Sequence, residues 1–268
     1  MLTFVTLRRV LPPARPSQGP RPRPQPWSSR RWCEYFHRQW HRLLVIPWRL
    51  GAGLTPAERD LIAPSLRVFQ QGEAREGGHL YRCARAHAQA SGDFEYAEAH
   101  RLFMAEEKRH GRDLGRFLTL AGTPPLTERS RLTRAFCWCG SRGGLEPTLL
   151  VILCSEALAL VYYGALRRAM GSPVLRRLCA QILRDEKRHI QFQAERLALL
   201  RKRRRRPLLV LSHVVDLVLF TLATAVVWHG HRNVLQAGGL TFGAYVRRAK
   251  HIFRGLARLK NPRNYLSL

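Results

Sequence analysis

The sequence predicts an all-α protein built around a four-helix unit. No stretch alternates apolar and polar residues with period two between turn residues, which argues against a β-sheet. Capping and turn signals instead divide the chain into segments of helical length. Two halves of the middle of the chain also repeat each other with an offset of about 80 residues, as two similar helix pairs would.

The composition is that of a folded protein. A chain of 268 residues, 46% of them apolar and 9% aromatic, can bury a large core and is neither disordered nor fibrous. A chain of this length does not need disulfides to support its fold, and no Cys-x-x-Cys pair occurs. We therefore expect a reducing, cytoplasmic setting. The six cysteines are Cys33, Cys83, Cys137, Cys139, Cys154 and Cys179.

Residues 1–30 are expected to form a disordered, Arg- and Pro-rich tail. Residues 11–27 contain seven prolines, and the apolar run before them is too short for a secretory signal. An acid-free, Arg-rich start resembles a transit peptide, and it is equally typical of a start codon assigned too early. The four-helix unit with an additional N-terminal helix is predicted for residues 31–201, and a basic and apolar helical extension for residues 202–268.

Boundary signals define the first helices. Residues 31–50 form an amphipathic segment rich in Trp and Arg, which predicts an additional N-terminal helix. Thr55-Pro56-Ala57-Glu58 is a capping box with Pro at the first helical position. Pro64 is expected to interrupt the helix that begins there, so that the first long helix of the unit runs from about residue 65 to 90.

Turn residues separate the other three helices of the unit. Asp93 follows a turn and is a good N-cap for a second helix that reaches about residue 121. Gly122-Thr123-Pro124-Pro125 ends this helix, and a polar, Arg-rich connection follows to about residue 147. The third helix is expected at roughly 148–170, and Gly171-Ser172-Pro173 leads into a fourth that ends near residue 201.

Each helix of the unit carries one element of a repeated motif. On a helix, residues i and i+3 lie on the same face, so the Glu and His of a Glu-x-x-His pair project together. One such pair means little, since Glu34–His37 also occurs outside the repeat. The specific observation is the order of one element per helix. In chain order the elements are Glu76, Glu107-x-x-His110, Glu156 and Glu186-x-x-His189.

This order resembles the ferritin-like di-iron carboxylate superfamily, of the rubrerythrin and bacterioferritin type, over roughly residues 65–201. The resemblance implies a four-helix bundle with two iron ions inside it. Glu107 and Glu186 would bridge the ions, each histidine would bind one of them, and the other two glutamates would complete the ligation. Four carboxylates and two imidazoles suit iron or manganese, so a manganese–iron pair also fits. The implied metal ligands are Glu76, Glu107, His110, Glu156, Glu186 and His189.

The resemblance also implies a partner for the second ring nitrogen of each histidine, which needs a hydrogen-bond acceptor. The residue before the glutamate of one motif would orient the histidine of the other. This rule pairs Asp185 with His110, and Glu106 with His189.

Three residues near the motif leave alternatives open. Glu73 lies one turn before Glu76 on the same face and could be the first-helix ligand in its place, although the repeat offset favours Glu76. His79 could be a seventh ligand, a hydrogen-bonding neighbour of the ligands or a core histidine with satisfied partners. Tyr163, two turns beyond Glu156, is expected inside the bundle, either simply packed or in a radical or electron-relay role.

The alternative to a metal site is a set of exposed ion pairs on the helix surfaces. The neighbouring positions on the same faces are apolar, among them Phe103, Leu114 and Ile182. Six ionisable side chains in an apolar interior would be severely costly without a metal to pair them. The sequence therefore favours the metal site.

The formal net charge of +28 is concentrated at the two ends of the chain. Residues 1–33 hold seven arginines and no acid, and residues 201–268 hold 14 basic residues and one acid, Asp216. The basic run 201–206 resembles a nucleic-acid patch, but no aromatic residue interrupts it and no recognition motif follows it. Because charge alone supports only non-specific association, a nucleic-acid partner is not expected.

Residues 208–228 are mostly Leu and Val and are long enough to cross a bilayer. Asp216, near the centre, would cost roughly 2.5–3.5 kcal/mol there. A helix that packs its polar positions against the bundle would bury them at a lower cost. Since the flanking arginines also fit a positive-inside membrane helix, membrane association through this segment stays open.

The expected activity follows from the resemblance. It is an oxidoreductase reaction driven by O2 or peroxide, on a small-molecule substrate and with an electron donor that the sequence does not identify. One alternative is a non-catalytic iron-binding protein, although the basic ends argue against a storage cage. The other is a membrane- or nucleic-acid-associated scaffold with a vestigial metal site.

Overall fold

The computed structural model describes residues 25–74, 77–128, 134, 138 and 143–265. All regular secondary structure in these ranges is helical, and no β-strand occurs in them. The prediction of an all-α protein is confirmed.

The long helices of the unit lie close to their predicted positions. The limits expected for the second, third and fourth of them agree with α4, α5 and α6 to within one turn of helix. Short 3-10 turns occur at Trp48–Leu50 and Pro262–Asn264. The helices are α1 (Ser29–Trp40), α2 (Pro56–Glu73), α3 (Gly78–Ser91), α4 (Phe94–Leu120), α5 (Leu145–Ala169), α6 (Pro173–Leu200), α7 (Arg206–Ala237) and α8 (Phe242–Leu259).

The N-terminal end of the fold begins slightly earlier than residue 31. Residues 1–24 of the expected tail lie outside the described residues, but Trp27 packs against Trp32 with ring centroids 4.6 Å apart. The backbone N–H of Trp27 donates to Glu195 Oε2 at 2.9 Å. Ser28 caps α1, because its hydroxyl accepts a hydrogen bond from the N–H of Arg31. The first residues of the helix therefore belong to the folded part.

The expectation that Pro64 interrupts the first helix is wrong. The capping box at Thr55 is confirmed, but α2 continues through Pro64 to Glu73. Proline fits the helical φ and removes only one backbone hydrogen bond, whose acceptor carbonyl belongs to the exposed residue Asp60. Tertiary packing of the apolar face of α2 outweighs this loss, since Ile62 and Leu66 on either side are fully buried.

The long helix expected at 65–90 is instead two helices. α2 ends at Glu73, and α3 begins at Gly78. Gly77 directly before α3 has a φ of +65°, a left-handed conformation that favours glycine. Glu73 therefore lies at the very end of α2.

The bundle interior lies between α2, α4, α5 and α6. α5 and α6 form the most extensive helix contact, and α4 packs against both α2 and α6. α1 and α3 pack on α4, whereas α7 and α8 pack on α5. This arrangement brings the four motif-bearing segments together around one buried region.

Two helices in the described part, α5 and α7, are long and apolar enough to span a membrane by length and composition. Their surroundings differ. Of the most apolar stretch of α5, 78% is buried inside the protein, whereas only 22% of the corresponding stretch of α7 is buried. α5 is a core helix of the bundle. α7 leaves much of its apolar surface uncovered.

A buried ion cluster attaches the middle of α7 to the bundle. Asp216 is fully buried, and its two oxygens accept hydrogen bonds from Arg201 at 2.7 and 2.9 Å. Lys260 Nζ lies 2.8 Å from the same carboxylate. Burial alone would raise the pKa of Asp216, but the two cations hold it below its ordinary value. Asp216 therefore faces the protein, as expected for a helix that packs its polar positions inward.

Gly111 on α4 lets the end of α2 approach closely. A Cβ at this position would lie 2.7 Å from the backbone N and Cα of Ala74. We expect Gly111→Ala to lower the free energy of unfolding by about 1–3 kcal/mol, because the backbone next to Glu73 must move. Urea denaturation followed by circular dichroism measures this change.

Gly115→Ala on the same helix is the matched control. A Cβ there meets its nearest neighbours at 3.6 Å, an ordinary contact, and alanine favours helix by about 1 kcal/mol. This variant should be as stable as the unchanged protein or more stable. Equal stabilities for the two alanine variants would contradict the close approach at Gly111.

Asp216→Asn should destabilise the fold strongly. The change removes the buried negative charge and leaves Arg201 and Lys260 without it, which costs about 3–5 kcal/mol in comparable buried pairs. Asp60→Asn is the control, because Asp60 forms an exposed ion pair with Arg59 that contributes at most about 1 kcal/mol. Thermal unfolding of both variants measures the difference, and a similar small shift for both would disprove the structural role of the cluster.

Candidate metal centre

Four helices bring a cluster of acidic and histidine side chains into the bundle interior. α4 and α6 each supply a Glu-x-x-His pair on one face, and α2 and α5 each supply one glutamate. All six side chains are buried. They are Glu73, Glu107, His110, Glu156, Glu186 and His189.

The cluster consists of two overlapping groups that could each hold a metal ion. In each group, one ligand atom per residue lies within 4.8 Å of every other. Glu107 and Glu186 belong to both groups. The first group adds Glu73 and His110, and the second adds Glu156 and His189.

Nδ1 of each histidine faces the shared glutamates. His110 Nδ1 lies 3.5 Å from Glu186 Oε1 and 3.7 Å from Glu107 Oε1. His189 Nδ1 lies 2.9 Å from Glu107 Oε1 and 3.7 Å from Glu186 Oε2. The two imidazole rings are 5.7 Å apart between centroids, with the shared carboxylates near both. Glu73 Oε2 completes the surroundings of His110 at 3.9 Å from its Nδ1.

Nε2 of each histidine contacts a second carboxylate outside the cluster. His110 Nε2 lies 3.1 Å from Asp185 Oδ2, and His189 Nε2 lies 2.8 Å from Glu106 Oε2. These are the cross-pairings between the two motifs that the family resemblance implies. Both outer carboxylates are buried, so they fix the rings with Nδ1 directed inward.

The donor set fits a metal ion. Nδ1 of His110 and both carboxylate oxygens of Glu186 are buried and have no hydrogen-bond partner among the described residues. Buried polar atoms usually have such a partner, and a cation between these atoms would supply it. Carboxylate oxygens and imidazole nitrogens are suitable ligands for iron or manganese.

The carboxylates raise the pKa of both histidines. Burial alone would lower the pKa of His110, but Asp185, Glu186 and Glu73 raise it well above its ordinary value. The glutamates around His189 raise its pKa in the same way, against the effect of burial. A metal ion held by these residues would take the place of a proton and relieve the repulsion between the carboxylates.

The glutamate of the first helix that belongs to the cluster is Glu73, the alternative to Glu76. Glu76 lies outside the described residues. The end of α2 at Glu73 places this carboxylate beside His110. The sequence favoured Glu76 because an offset of 80 residues relates it to Glu156. That reasoning placed Glu76 on one long helix over 65–90, whereas α2 and α3 are separate helices.

His79 belongs to neither of the two groups that could hold a metal ion. Its Nε2 is 3.0 Å from the carbonyl of Gly143 and 3.5 Å from Cys83 Sγ. Of the three roles left open by the sequence, these contacts support a histidine with satisfied partners, on the surface side of α3 rather than deep in the core.

Tyr163 lies inside the bundle, as predicted, and touches the cluster. Its ring is fully buried, and its hydroxyl donates to Glu73 Oε1 at 2.8 Å. Burial and the neighbouring carboxylate of Glu73 raise the pKa of Tyr163 well above its ordinary value. The neutral phenol therefore orients Glu73, whose other oxygen faces His110.

Sequence reasoning missed two residues that hold Asp185. Arg109 Nη2 donates to its carboxylate at 2.7 Å, and Gln181 Nε2 donates at 2.6 Å. Burial would raise the pKa of Asp185, but hydrogen bonds from His110 and Arg109 hold it well below its ordinary value. An arginine next to Lys108 is typical of a helix surface, so only the spacing of Gln181, one turn before Asp185, was an available signal.

Comparisons of the chain with protein families, with curated proteins and with solved structures found no match.

Glu106→Gln should weaken metal binding without unfolding the protein. The amide keeps the size of the side chain but removes the charge that faces His189 Nε2. Loss of such an outer partner typically lowers metal affinity by about 10–100-fold. Competition with a chelator of known affinity measures the change.

Glu98→Gln on the same helix is the control for this experiment. Glu98 pairs with Arg101 on the surface and is remote from the cluster. Its replacement should leave the metal affinity unchanged. If both variants keep the affinity of the unchanged protein, Glu106 has no part in orienting His189 for a metal.

Proposed function

We propose that this chain is a ferritin-like di-metal protein whose centre binds two iron ions and supports oxidation by O2 or peroxide. The observation that carries the proposal is the presence of Glu107 and Glu186 in both ligand groups. Two carboxylates shared by two sites are what a pair of neighbouring cations needs, because bridging oxygens reduce the repulsion between the ions. This ligand pattern is the basis of the resemblance to the ferritin-like superfamily.

The ligand assignment follows the two groups. Glu107 and Glu186 would be shared by the two ions, Glu73 and His110 would complete one site, and Glu156 and His189 would complete the other. Glu76 is retained as the alternative to Glu73. Four carboxylates balance the charge of two divalent ions, which favours two ions over one in a buried site. A manganese–iron pair fits the same ligands.

The surrounding residues hold the ligands and keep water away. Asp185 and Glu106 orient the two histidines, and Tyr163 orients Glu73. The ring of Phe103 packs edge-on against His189 with centroids 4.8 Å apart. When bound in such a ligand set, two iron ions can supply electrons to O2 or peroxide. A small-molecule substrate and an external electron donor complete the proposed reaction.

Metal content is the first test of this function. Protein expressed with iron should contain about two irons per chain, and O2 added to the reduced form should produce a near-ultraviolet oxo-bridge band. Two irons without oxygen consumption would identify a non-catalytic iron-binding protein. A folded, helical protein without bound metal would contradict the proposal.

Glu107→Ala and Glu186→Ala should each abolish stoichiometric iron binding and leave the helical content largely intact, because each removes a ligand shared by both sites. Glu34→Ala is the matched control, since Glu34 belongs to another Glu-x-x-His sequence but lies exposed on α1. Iron analysis after gel filtration, with circular dichroism of each variant, measures both properties. Retention of two irons by both cluster variants would refute the assignment.

A further inference from the structure

α7 presents a long apolar face to solvent. Nine aliphatic side chains along it are 43–64% exposed, and they extend from residue 208 to 226, about 27 Å at 1.5 Å per residue. An exposed patch of this size usually marks a binding surface in a folded protein. We call this set the α7 strip: Leu208, Val210, Leu211, Val214, Val215, Leu217, Val218, Leu222 and Val226.

The opposite face of α7 is held to the bundle at several points along the helix. Asp216 is bound by Arg201 and Lys260. Farther along, the hydroxyl of Tyr245 on α8 donates to the carbonyl of Thr224 at 3.0 Å. Near the end of the helix, His231 Nδ1 lies 2.8 Å from the Ser65 hydroxyl on α2. α7 therefore lies along the body of the protein.

This attachment argues against a membrane-spanning orientation of α7. If α7 crossed a bilayer, the bundle packed against it would enter the hydrocarbon too. α6 exposes charged side chains such as Arg176 and Lys187, which are costly in that environment. An orientation in the plane of the membrane covers the α7 strip and leaves the bundle in water.

The exposed charges next to the α7 strip are positive. Lys202, Arg203, Arg205 and Arg206 precede it and are exposed. The only acid among residues 201–268 is Asp216, which is buried. α8 adds further exposed basic residues beside α7: Arg247, Arg248, Lys250, Arg254 and Arg258.

We propose that the α7 strip and the basic residues around it dock on the surface of an anionic phospholipid bilayer. The apolar side chains would enter the boundary between headgroups and acyl chains, and the cations would contact lipid phosphates. Trp228 and the exposed Phe242 pack together at the end of the strip, in the position that aromatic residues favour at a membrane interface.

Two other partners fit these observations less well. A nucleic acid would match the basic residues but leave the apolar strip in water. A second copy of the chain, paired strip to strip, would bring two acid-free basic surfaces together, and like charges repel. A bilayer with apolar acyl chains beneath anionic headgroups matches both the apolar strip and the basic residues around it. This proposal does not depend on the metal centre.

Vesicle binding tests the proposal with the full chain. Protein purified without detergent should bind vesicles of phosphatidylcholine with 30% phosphatidylglycerol, and bind vesicles of phosphatidylcholine alone at least tenfold more weakly. Val218→Glu should reduce binding to the anionic vesicles at least tenfold, because it places a charge within the strip. Leu120→Glu on α4 is the matched control, since Leu120 is 43% exposed and lies outside the strip, and it should bind normally.

Removal of charge tests the electrostatic part. The combined change Lys202→Gln, Arg203→Gln and Arg205→Gln should weaken binding to anionic vesicles and reduce its dependence on salt. The control carries the same loss of charge at exposed sites elsewhere, Arg38→Gln, Arg85→Gln and Arg176→Gln. Equal effects of the two triple variants would show that only the overall charge matters and would contradict a local docking surface.

Three results would overturn the proposal. Extraction that requires detergent would indicate that α7 spans the membrane. A dimer that Val218→Glu dissociates, together with no vesicle binding, would assign the strip to a second copy. Salt-sensitive binding of single-stranded RNA without vesicle binding would assign the basic residues to nucleic acid. Circular dichroism confirms that each variant is folded before binding is measured.

Discussion

Four carboxylates and two imidazole rings lie in the interior of the bundle, where removing a charge from water costs several kcal/mol per ion. Two shells of contacts between oppositely charged or hydrogen-bonding groups offset this cost. In the inner shell, the histidines face glutamates that belong to two overlapping groups. In the outer shell, Asp185 and Glu106 pair with the outward nitrogens of the same histidines. Some buried polar atoms, such as both carboxylate oxygens of Glu186, still have no hydrogen-bond partner among the described residues. A bound cation would supply one.

The cost of burying these charges explains several features of the fold that the formation of single helices does not explain. α2 ends at Glu73, and Gly111, which has no side chain, lets that end of α2 approach α4 closely. Tyr163 reaches across from α5 to hold the carboxylate of Glu73. Arg109, which helical position alone would place among surface residues, is buried because Asp185 requires a cation beside it. These contacts involve the cluster residues or their direct partners.

In the C-terminal part, a buried ion cluster determines the orientation of an apolar helix. α7 is apolar enough for a membrane, yet Asp216 near its middle is fully buried against Arg201 and Lys260. The ion cluster directs one face of α7 toward the bundle, and the aliphatic face on the other side is consequently exposed. The buried charge therefore decides which surface of the helix is available to a partner.

The sequence by itself determined the helical class, the positions of α4, α5 and α6, and most of the cluster residues, because caps and i, i+3 spacing act within one helix. The pairing of Asp185 with His110 and of Glu106 with His189 was implied by the family resemblance of the two motifs. Tertiary structure alone decided the course of the first helix through Pro64, the position of Glu73 beside His110 and the burial of Arg109. These features depend on contacts between helices that are far apart in the chain. The energies of such contacts exceed local helix propensities, and the contacts produce no periodic pattern in the sequence from which they could be predicted.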